Sequence, residues 1–329
     1  MKRFALFLVL ASGSVAAANA ACSNDNPATG GNSPGLPGSS LPGVDAGKTD
    51  GGITITDGGG GVVDSGPIDA GPALCDPTIL WTSNGRLPAL DTSSLAQFGA
   101  VSGTELSLAW TKANGDLYVA DRPDTDTDFS AATKVDTGTT AIANDRVALS
   151  PTGQAIIAMT SARTQFVEFD RATATSTTWT KASANRFTQI TAFLSESTGQ
   201  LSEPVMGADK LTLYFLITTT GNAPALYESR YNAASSQWAS PGSLLATALQ
   251  SADATHRRRP TGASSDRRTL FFFDETTLPG IERAAWRNTP DQPFSKFVDM
   301  TGFNETAPNT ACDTLYFQGT DVGGAGVFT

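Results

Sequence analysis

A unit of short strands recurs five times along the chain and limits what the chain can fold into. The clearest copy, Leu211–Trp238, has two short strands rich in β-forming residues, a Gly- and Pro-containing loop between them, and an aromatic residue that opens a third strand. The first strands of the copies are centred 49, 56, 58 and 45 residues apart, at Leu108, Ile157, Leu213, Phe271 and Tyr316. Repeated sheet units with periods of this size are typical of propeller blades.

An arginine ends the second strand in four of the copies, and an aromatic residue follows it seven or eight positions later. Because the pair recurs once per unit, we expect each guanidinium to stack on its ring and to bond the strand end rather than to serve a ligand. The pairs are Arg122 with Phe129, Arg171 with Trp179, Arg230 with Trp238, and Arg287 with Phe294.

The region from residue 75 to residue 329 is rich in Ser and Thr, alternates with apolar residues, and shows no helical periodicity beyond a short turn at Ser243–Leu249. The sequence therefore predicts an all-β propeller of five blades, with six blades as the alternative. The fifth unit ends after its inner strands, and an open sheet edge is prone to pairing. We therefore predict that the N-terminal strand Thr78–Thr82 pairs into the C-terminal blade and closes the ring.

Two cysteines stand at the two ends of this region, and a bond between them would fasten the closure. Disulfides persist in exported proteins, and the N-terminal sequence is that of an exported protein. The sequence therefore predicts a disulfide between Cys75 and Cys312, with two free buried thiols as the alternative.

Residues 1–21 have the order of an export signal, with two basic residues, a short apolar core and small residues at the end. Cys22 follows at the position where bacterial lipoproteins carry their lipidated first residue, although Asn19 replaces the usual Leu. Lipidation of Cys22 would place the protein at the outer membrane or the cell surface. The alternative is a periplasmic or secreted protein.

Residues 22–74 are predicted to form a disordered tether. The stretch Ser23–Pro72 contains 14 Gly, 6 Pro and no aromatic residue, so it cannot bury enough apolar surface to offset the entropy of ordering. Such a chain would hold the propeller away from a membrane to which Cys22 is attached.

Composition excludes several function classes. The net charge of −10 argues against a nucleic-acid partner, and a single histidine, His256, removes most catalytic and metal schemes that need imidazole. The acidic run Asp124–Asp128 lacks the glycine and the twelfth-position carboxylate of a calcium loop. We predict a monomer with no metal and no cofactor, which meets the membrane only through the anchor at Cys22.

Charged residues begin the innermost strand of several units, where a propeller could turn them toward its channel. The run His256–Arg259 is the one dense basic cluster, and arginine forks suit an anionic ligand or an acidic partner segment. Ion pairs between blades are the alternative use. The candidate binding residues are His256, Arg257, Arg258, Arg259, Asp145, Arg146, Glu203 and Glu305.

The repeat resembles the TolB-type WD40-like β-propeller repeat family. The matching features include Ser150–Gly153 before the strand Ala155–Met159, and Arg287 with Phe294 and a following Ser. The family's Asp-Gly turn is replaced here, and the WD dipeptide is absent. The resemblance implies a propeller with an interaction role and without one fixed activity. The replacements of the Asp-Gly turn are Thr152-Gly153, Asp209-Lys210 and Asp266-Arg267.

We therefore expect an exported, lipid-anchored and non-catalytic propeller that binds a protein or polysaccharide partner at the cell envelope. The alternative is a carbohydrate-active enzyme, a glycoside hydrolase or a lyase, on a five-bladed propeller. Glycoside hydrolysis needs two carboxylates on either side of the scissile bond. The sequence has enough carboxylates, but their spacing selects no pair: Asp145, Glu203, Asp266, Asp274, Glu275 and Glu305.

Overall fold

The computed structural model describes residues 75–76, 87, 95–243, 249, 257–276, 280–301, 303–321 and 324–329. Several predicted features lie outside the described residues: the export signal 1–21, Cys22, the tether 22–74, the strand Thr78–Thr82, His256 and most of the turn at Ser243–Leu249. No helix in the described part of the chain is long and apolar enough to cross a membrane.

The described residues form five antiparallel sheets, each made of strands that are consecutive in the chain. Sheet I contains β1 (Leu95–Val101), β2 (Ser107–Lys112), β3 (Leu117–Asp121) and β4 (Thr133–Lys134). Sheet II contains β5 (Ala148–Leu149), β6 (Ala155–Met159), β7 (Phe166–Asp170) and β8 (Thr180–Lys181). Sheet III contains β9 (Gly199–Met206), β10 (Thr212–Thr219), β11 (Ala225–Asn232), β12 (Gln237–Trp238) and β13 (Gly242–Ser243).

The C-terminal part of the chain supplies the last two sheets. Sheet IV contains β14 (Arg258–Ala263), β15 (Thr269–Asp274), β16 (Ile281–Trp286) and β17 (Lys296–Met300). Sheet V has three strands, β18 (Ala307–Pro308), β19 (Leu315–Asp321) and β20 (Gly324–Phe328).

The first strands of all five sheets border one small central cavity of about 30 Å³. They approach closely, and a Cβ atom on Gly99 would lie only 2.6 Å from Val147 Cγ2. The prediction of an all-β propeller is therefore confirmed in its architecture, with four blades of four or more strands and a fifth sheet of three. Each sheet contributes to the cavity wall, with Gly99, Leu149, Val205, Gly262 and Ala307 among the lining residues.

Apolar clusters between neighbouring sheets form the core. The alternating side chains of each strand face two different sheets, so each sheet buries both faces. Sheet V packs against sheet I as well as against sheet IV. Each cluster contains residues of two neighbouring sheets, for example Val119 and Ile156 (I and II), Phe166 and Phe215 (II and III), Leu216 and Phe272 (III and IV), Phe271 and Leu315 (IV and V), and Tyr316 and Trp110 (V and I).

The same tight turn joins the first and second strands of every sheet. In sheet III the turn runs through Lys210, which has a φ of 62°, and its N–H donates to the Gly207 carbonyl. The left-handed conformation is the one that glycine adopts most easily. This shared conformation explains why the turn is recognisable here although other residues replace the Asp-Gly pair of the TolB-type repeat. The corresponding residues are Glu105, Gly153, Lys210, Arg267 and Cys312.

One helix in the described part of the chain interrupts the strand pattern. The sequence analysis predicted no helix at this place and was wrong there. Helix α1 spans Thr188–Ser197 between sheets II and III, and it buries Ile190 and Leu194 in the core between them. Only these two side chains of the helix are fully buried, so the helical apolar periodicity in the sequence is too short to stand out.

Three of the four repeated arginines stack on their aromatic residues as predicted, with 4.4 to 4.6 Å from guanidinium to ring centroid. Arg171 also pairs with Asp121 of sheet I at 2.7 Å, so the motif joins neighbouring sheets. The prediction is wrong for Arg230, which turns outward to Glu228 and Asp291. Trp238 stacks on Phe187 instead.

The predicted disulfide between Cys75 and Cys312 is present, with 5.2 Å between the Cα atoms. The Cys75 carbonyl also accepts a hydrogen bond from Thr269 Oγ1 at 2.8 Å, so the bond connects the start of the described chain to both sheet IV and sheet V. The two cysteines are 237 residues apart. A loop of that length corresponds to about 5 kcal/mol of stabilisation in the chain-entropy model.

The contrast between Arg171 and Arg230 gives a matched test of the stacking motif. Arg171 is buried, and Arg171→Met breaks its pair with Asp121, so we expect the free energy of unfolding to fall by about 3 kcal/mol. The exposed side chain of Arg230 is the control, and Arg230→Met should cost less than about 1 kcal/mol. Urea denaturation of the two variants measures both values, and equal losses would contradict the structural role of the motif.

Candidate functional site

The beginnings of the innermost strands bring five charged residues together at one end of the channel. Two of them precede β5, one lies in β9, one in β14 and one precedes β18. All five are more than nine-tenths buried. The sequence placed these residues at comparable positions of different units, and the structure joins them in one cluster, which we call the channel cluster: Asp145, Arg146, Glu203, Arg259 and Glu305.

Irregular backbone turns these side chains toward one another. Glu203 and Glu305 have left-handed φ values of 55° and 51°, which are uncommon for residues other than glycine. The pairing of β9 with β10 changes register between Tyr214 and Leu216, which places a bulge at Glu203. A bulge re-aims a side chain and leaves part of the ladder unpaired. Strained backbone of this kind is concentrated at functional sites.

Arg146 spans the channel. Its Nη1 donates to the carbonyl oxygens of Gly99 in sheet I, at 2.6 Å, and of Thr261 in sheet IV, at 3.0 Å. Its Nη2 lies 3.5 Å from Glu305 Oε2 beside sheet V. Both carbonyls stand at register shifts, where the strand ladder leaves them available. One side chain therefore joins sheet II to three other sheets.

Arg259 is the second centre of the cluster. Its Nη1 contacts Glu305 Oε1 at 3.0 Å and Glu203 Oε1 at 3.5 Å, and its Nε contacts Glu275 Oε1 at 2.8 Å. The guanidinium also lies over the ring of Phe273, 5.1 Å from its centroid. Three carboxylates from three sheets thus share one cation, which offsets much of the cost of burying them.

Asp145 and Glu203 form a carboxyl pair with opposite pKa shifts. Burial and the nearby charge of Glu203 raise the pKa of Asp145 to about 7. Burial alone would raise the pKa of Glu203 as well, but the guanidiniums of Arg259 and Arg146 lower it below its usual value. The pair therefore keeps its charge on Glu203, while Asp145 is protonated below about pH 7 and loses its proton as the pH rises through that value. Environments that separate two carboxyl pKa values in this way are typical of acid and base assignments in enzymes.

A buried carboxyl group supports the cluster from below. Glu282 accepts hydrogen bonds from the Glu305 N–H at 2.9 Å, from Thr306 Oγ1 at 2.6 Å and from Thr261 Oγ1. Burial raises its pKa. These bonds hold the strained turn at Glu305 and keep its carboxylate directed at the two arginines.

Three partly exposed side chains, those of Arg163, Arg257 and Glu275, lie on the solvent side of the cluster, which we call the mouth of the channel. Arg163 Nη1 contacts Asp145 Oδ2 at 2.8 Å, and Arg257 Nε contacts Glu275 Oε2 at 3.2 Å. The side chains of Arg163 and Arg257 are 32% and 34% exposed, whereas that of Glu275 is 23% exposed. The exposed layer of the mouth is therefore richer in cations than the layer beneath it.

The other sequence candidates are distributed differently. Arg258 pairs with the buried Asp274, which also contacts Arg283. Asp266 lies at the opposite end of sheet IV, where it accepts a hydrogen bond from Ser264 in the tight turn. The acidic loop of sheet I, Asp124–Asp128, is exposed, and Asp124 bonds within that loop. No group of three or more His, Cys, Asp or Glu side chains in the described part of the chain is arranged to hold a metal ion.

Sequence reasoning missed Arg163 and Glu282. Arg163 stands in the loop between β6 and β7, and no other unit has an arginine at that place to signal a role. Glu282 lies in β16 between the half-buried residues Ile281 and Arg283, and a charged residue in such a strand is expected to face solvent. Each acquires its importance from a residue of another sheet, which spacing within one unit does not show.

No protein-family model matches the chain, and no curated protein matches it. Solved structures do. The α-L-arabinofuranosidase PaAbf62A from Podospora anserina, in complex with cellotriose, is 10% identical with a TM-score of 0.51, and the match covers 78% of this chain and 97% of that one. A GH62 hydrolase in complex with xylotriose is 12% identical (TM-score 0.45, 75% and 96% covered). TolB from Acinetobacter baumannii is also 12% identical (TM-score 0.39, 69% and 50% covered).

These comparisons correct one expectation. The expectation of a non-catalytic scaffold is contradicted, because a solved structure with a TM-score above 0.5 is an α-L-arabinofuranosidase, matched over nearly its whole length. At 10% identity the likeness itself shows the fold alone. The carboxylates that meet in the channel cluster are the feature of this chain that agrees with the carbohydrate-active alternative.

The role of Arg146 as a link between sheets can be tested by substitution. Arg146→Met removes two bonds to carbonyls and leaves Glu305 with less compensation, so we expect the free energy of unfolding to fall by about 3–5 kcal/mol. Arg146→Lys keeps the charge and should lose less. Lys134→Met is the control, because its pair with Asp116 lies at the surface, and it should leave stability unchanged. Thermal and urea unfolding measure all three, and a stable Arg146→Met variant would contradict the role.

Proposed function

We propose that the protein is a glycoside hydrolase whose active site is the mouth of the propeller channel. The observation that carries the proposal is the carboxyl pair of Asp145 and Glu203, in which Asp145 keeps its proton up to about pH 7 and Glu203 is charged. Glycosidic bonds need such a proton donor, because the leaving oxygen is a poor leaving group until it is protonated.

Asp145 is assigned as the general acid. A pKa of about 7 keeps it protonated in acidic solution and partly protonated at neutral pH, and an acid whose pKa lies near the working pH is the most effective one. Glu203 lies against Asp145, which leaves no room for a sugar between them. Its part is to hold the Asp145 proton, so it is a positioning residue rather than the second catalytic carboxylate.

Glu275 is assigned as the second carboxylate. It meets Arg259 through Nε, whereas Glu203 meets the same guanidinium through Nη1, so the two carboxylates lie on different edges of that group. Glu275 is also the most exposed carboxylate of the mouth. In the proposed step a water attacks the anomeric carbon and gives a proton to Glu275, the glycosidic C–O bond breaks, and Asp145 protonates the departing oxygen.

The likeness to the arabinofuranosidase supports the proposal at the level of the fold, because a propeller matched over most of both chains is known there with a bound oligosaccharide. Membership of the TolB-type repeat family is likewise a proposal, which rests on the strand and turn pattern of the repeat.

The assignment predicts which substitutions abolish hydrolysis. On a panel of neutral and acidic polysaccharides, the release of reducing ends should fall by about 100-fold or more for Asp145→Asn, and similarly for Glu275→Gln. Glu168→Gln is the control, because burial also raises the pKa of Glu168 to about 7, but it lies on β7 and pairs with Arg186. It should retain full activity.

The pH dependence follows from the same pKa. Since only protonated Asp145 can donate, kcat/KM should fall as the pH rises through about 7, in the parent protein and in Glu168→Gln alike. Products with an unsaturated sugar at the non-reducing end would identify the protein as a lyase instead. An inert parent protein, or an Asp145→Asn variant that keeps its activity, would refute the assignment.

We further infer a ring of five blades in which the segment before β1 completes sheet V. Support comes from the Leu87 N–H, which donates to the Val327 carbonyl of β20 at 2.9 Å, and from Arg122 Nη2, which donates to the Tyr316 hydroxyl at 2.9 Å. Slow hydrogen exchange at the Leu87 amide is expected, and exchange as fast as in the tether would contradict closure.

Export and anchoring through a lipid on Cys22 are also proposed, with a monomeric propeller held away from the membrane by residues 22–74. The Cys75–Cys312 bond supports export, because structural disulfides persist in oxidising compartments. Mass spectrometry of the mature N-terminus tests the lipid, and an unmodified Cys22 would leave plain secretion.

A further inference from the structure

The mouth of the channel is cationic at its surface although the whole chain carries a net charge of −10. Arg163 and Arg257 are the most exposed charged side chains there, and the carboxylates of Asp145, Glu203 and Glu305 lie beneath them with at most 10% of their side chains exposed. A ligand that approaches the mouth therefore meets guanidinium groups first.

The charge balance of the mouth depends on the proton of Asp145. Four guanidiniums, those of Arg146, Arg163, Arg257 and Arg259, face four carboxyl groups, those of Asp145, Glu203, Glu275 and Glu305. When Asp145 is protonated, one positive charge is left over in a partly buried place, where an anionic group gains more than it would at an open surface.

Both exposed arginines have capacity for a second acceptor. Arg163 contacts Asp145 through Nη1, and Arg257 contacts Glu275 through Nε. A guanidinium carries five N–H donors in a planar fork that matches a carboxylate, so each of them can bind a further carboxylate while it keeps its protein partner.

We propose, building on the glycoside hydrolase function above, that the substrate is an acidic polysaccharide whose sugar units bear carboxylates, and that Arg163 and Arg257 bind those carboxylates at the mouth. A uronic acid unit supplies both the carboxylate and the glycosidic oxygen that must reach Asp145. Arg163 is then a specificity-determining residue, and Arg257 is its counterpart on the other side of Arg259.

Binding of this kind would also prepare the acid. Arg163 lies 2.8 Å from Asp145 and favours the charged form of that carboxyl group. A sugar carboxylate bound at the other edge of Arg163 offsets part of its positive charge and so weakens this influence, and the proton is held more firmly on Asp145 until the glycosidic oxygen takes it. An acidic substrate thereby favours the protonated form of the donor as it binds, which a neutral sugar cannot do in this way.

Calorimetric titration of the full chain carrying Asp145→Asn, which blocks turnover, tests the proposal. The probes are trimers of galacturonate, glucuronate and mannuronate, a neutral trimer of glucose and a sulfated trimer. We expect at least one uronate trimer to bind about 10-fold or more tightly than the neutral trimer, with affinity that falls as salt is added.

The same titrations with Arg163→Gln and with Arg257→Gln in that background should lose about 10-fold in uronate affinity each. Arg230→Gln is the matched control, because Arg230 is an exposed arginine on the outer part of sheet III, and it should bind as the parent does. Equal affinity for neutral and uronate trimers, no binding of any trimer, or tighter binding of the sulfated trimer overturns the proposal.

Failure of this inference is distinguishable from failure of the proposed function. Hydrolysis of neutral polysaccharides by the parent protein without any uronate preference would leave the glycoside hydrolase assignment and remove the acidic substrate. Uronate binding that depends on Arg163, in a protein that cleaves no polysaccharide, would leave the acidic ligand and remove the glycoside hydrolase assignment.

Discussion

The guanidinium of Arg146 joins first strands that form no backbone ladder with one another. In the described part of the chain each first strand pairs with the second strand of its own sheet, although the first strands approach closely around the central cavity. Arg146 links them by donating to carbonyls of sheets I and IV and by contacting Glu305 beside sheet V. Apolar clusters hold neighbouring sheets together further out, but at the axis the sheets depend on buried charges. Each such charge is tolerable only because the others are present.

The same dependence produces the chemistry. The guanidiniums of Arg146 and Arg259 lower the pKa of Glu203 although it is buried, and the charge that they keep on Glu203, together with burial, raises the pKa of its neighbour Asp145. An apolar axis would supply no proton donor. The strained backbone at Glu203 is a further cost that the surrounding network has to offset. Stability and proposed catalysis are therefore properties of one group of side chains.

The sequence predicted the parts of this arrangement that repeat. Periodic strands gave the propeller, and the position of the charged residues at the start of each first strand indicated that they could meet at a channel. What it could not predict depends on contacts between units. Arg230 has the same place in its unit as Arg171, eight residues before a tryptophan, but Glu228 and Asp291 draw it outward. Helix α1, whose periodicity is too short to read, brings Phe187 onto Trp238 and takes the place of the missing stack.

The channel cluster raises the pKa of Asp145 to about 7, so that this carboxyl group keeps its proton in weakly acidic solution. Infrared difference spectroscopy between the parent protein and Asp145→Asn, followed from acidic to mildly alkaline pH, measures that proton through the carbonyl band of the neutral carboxyl group. We predict a band that is present in weakly acidic solution and disappears with a midpoint near pH 7. A band that is already lost near the ordinary aspartate value of 3.8 would contradict it.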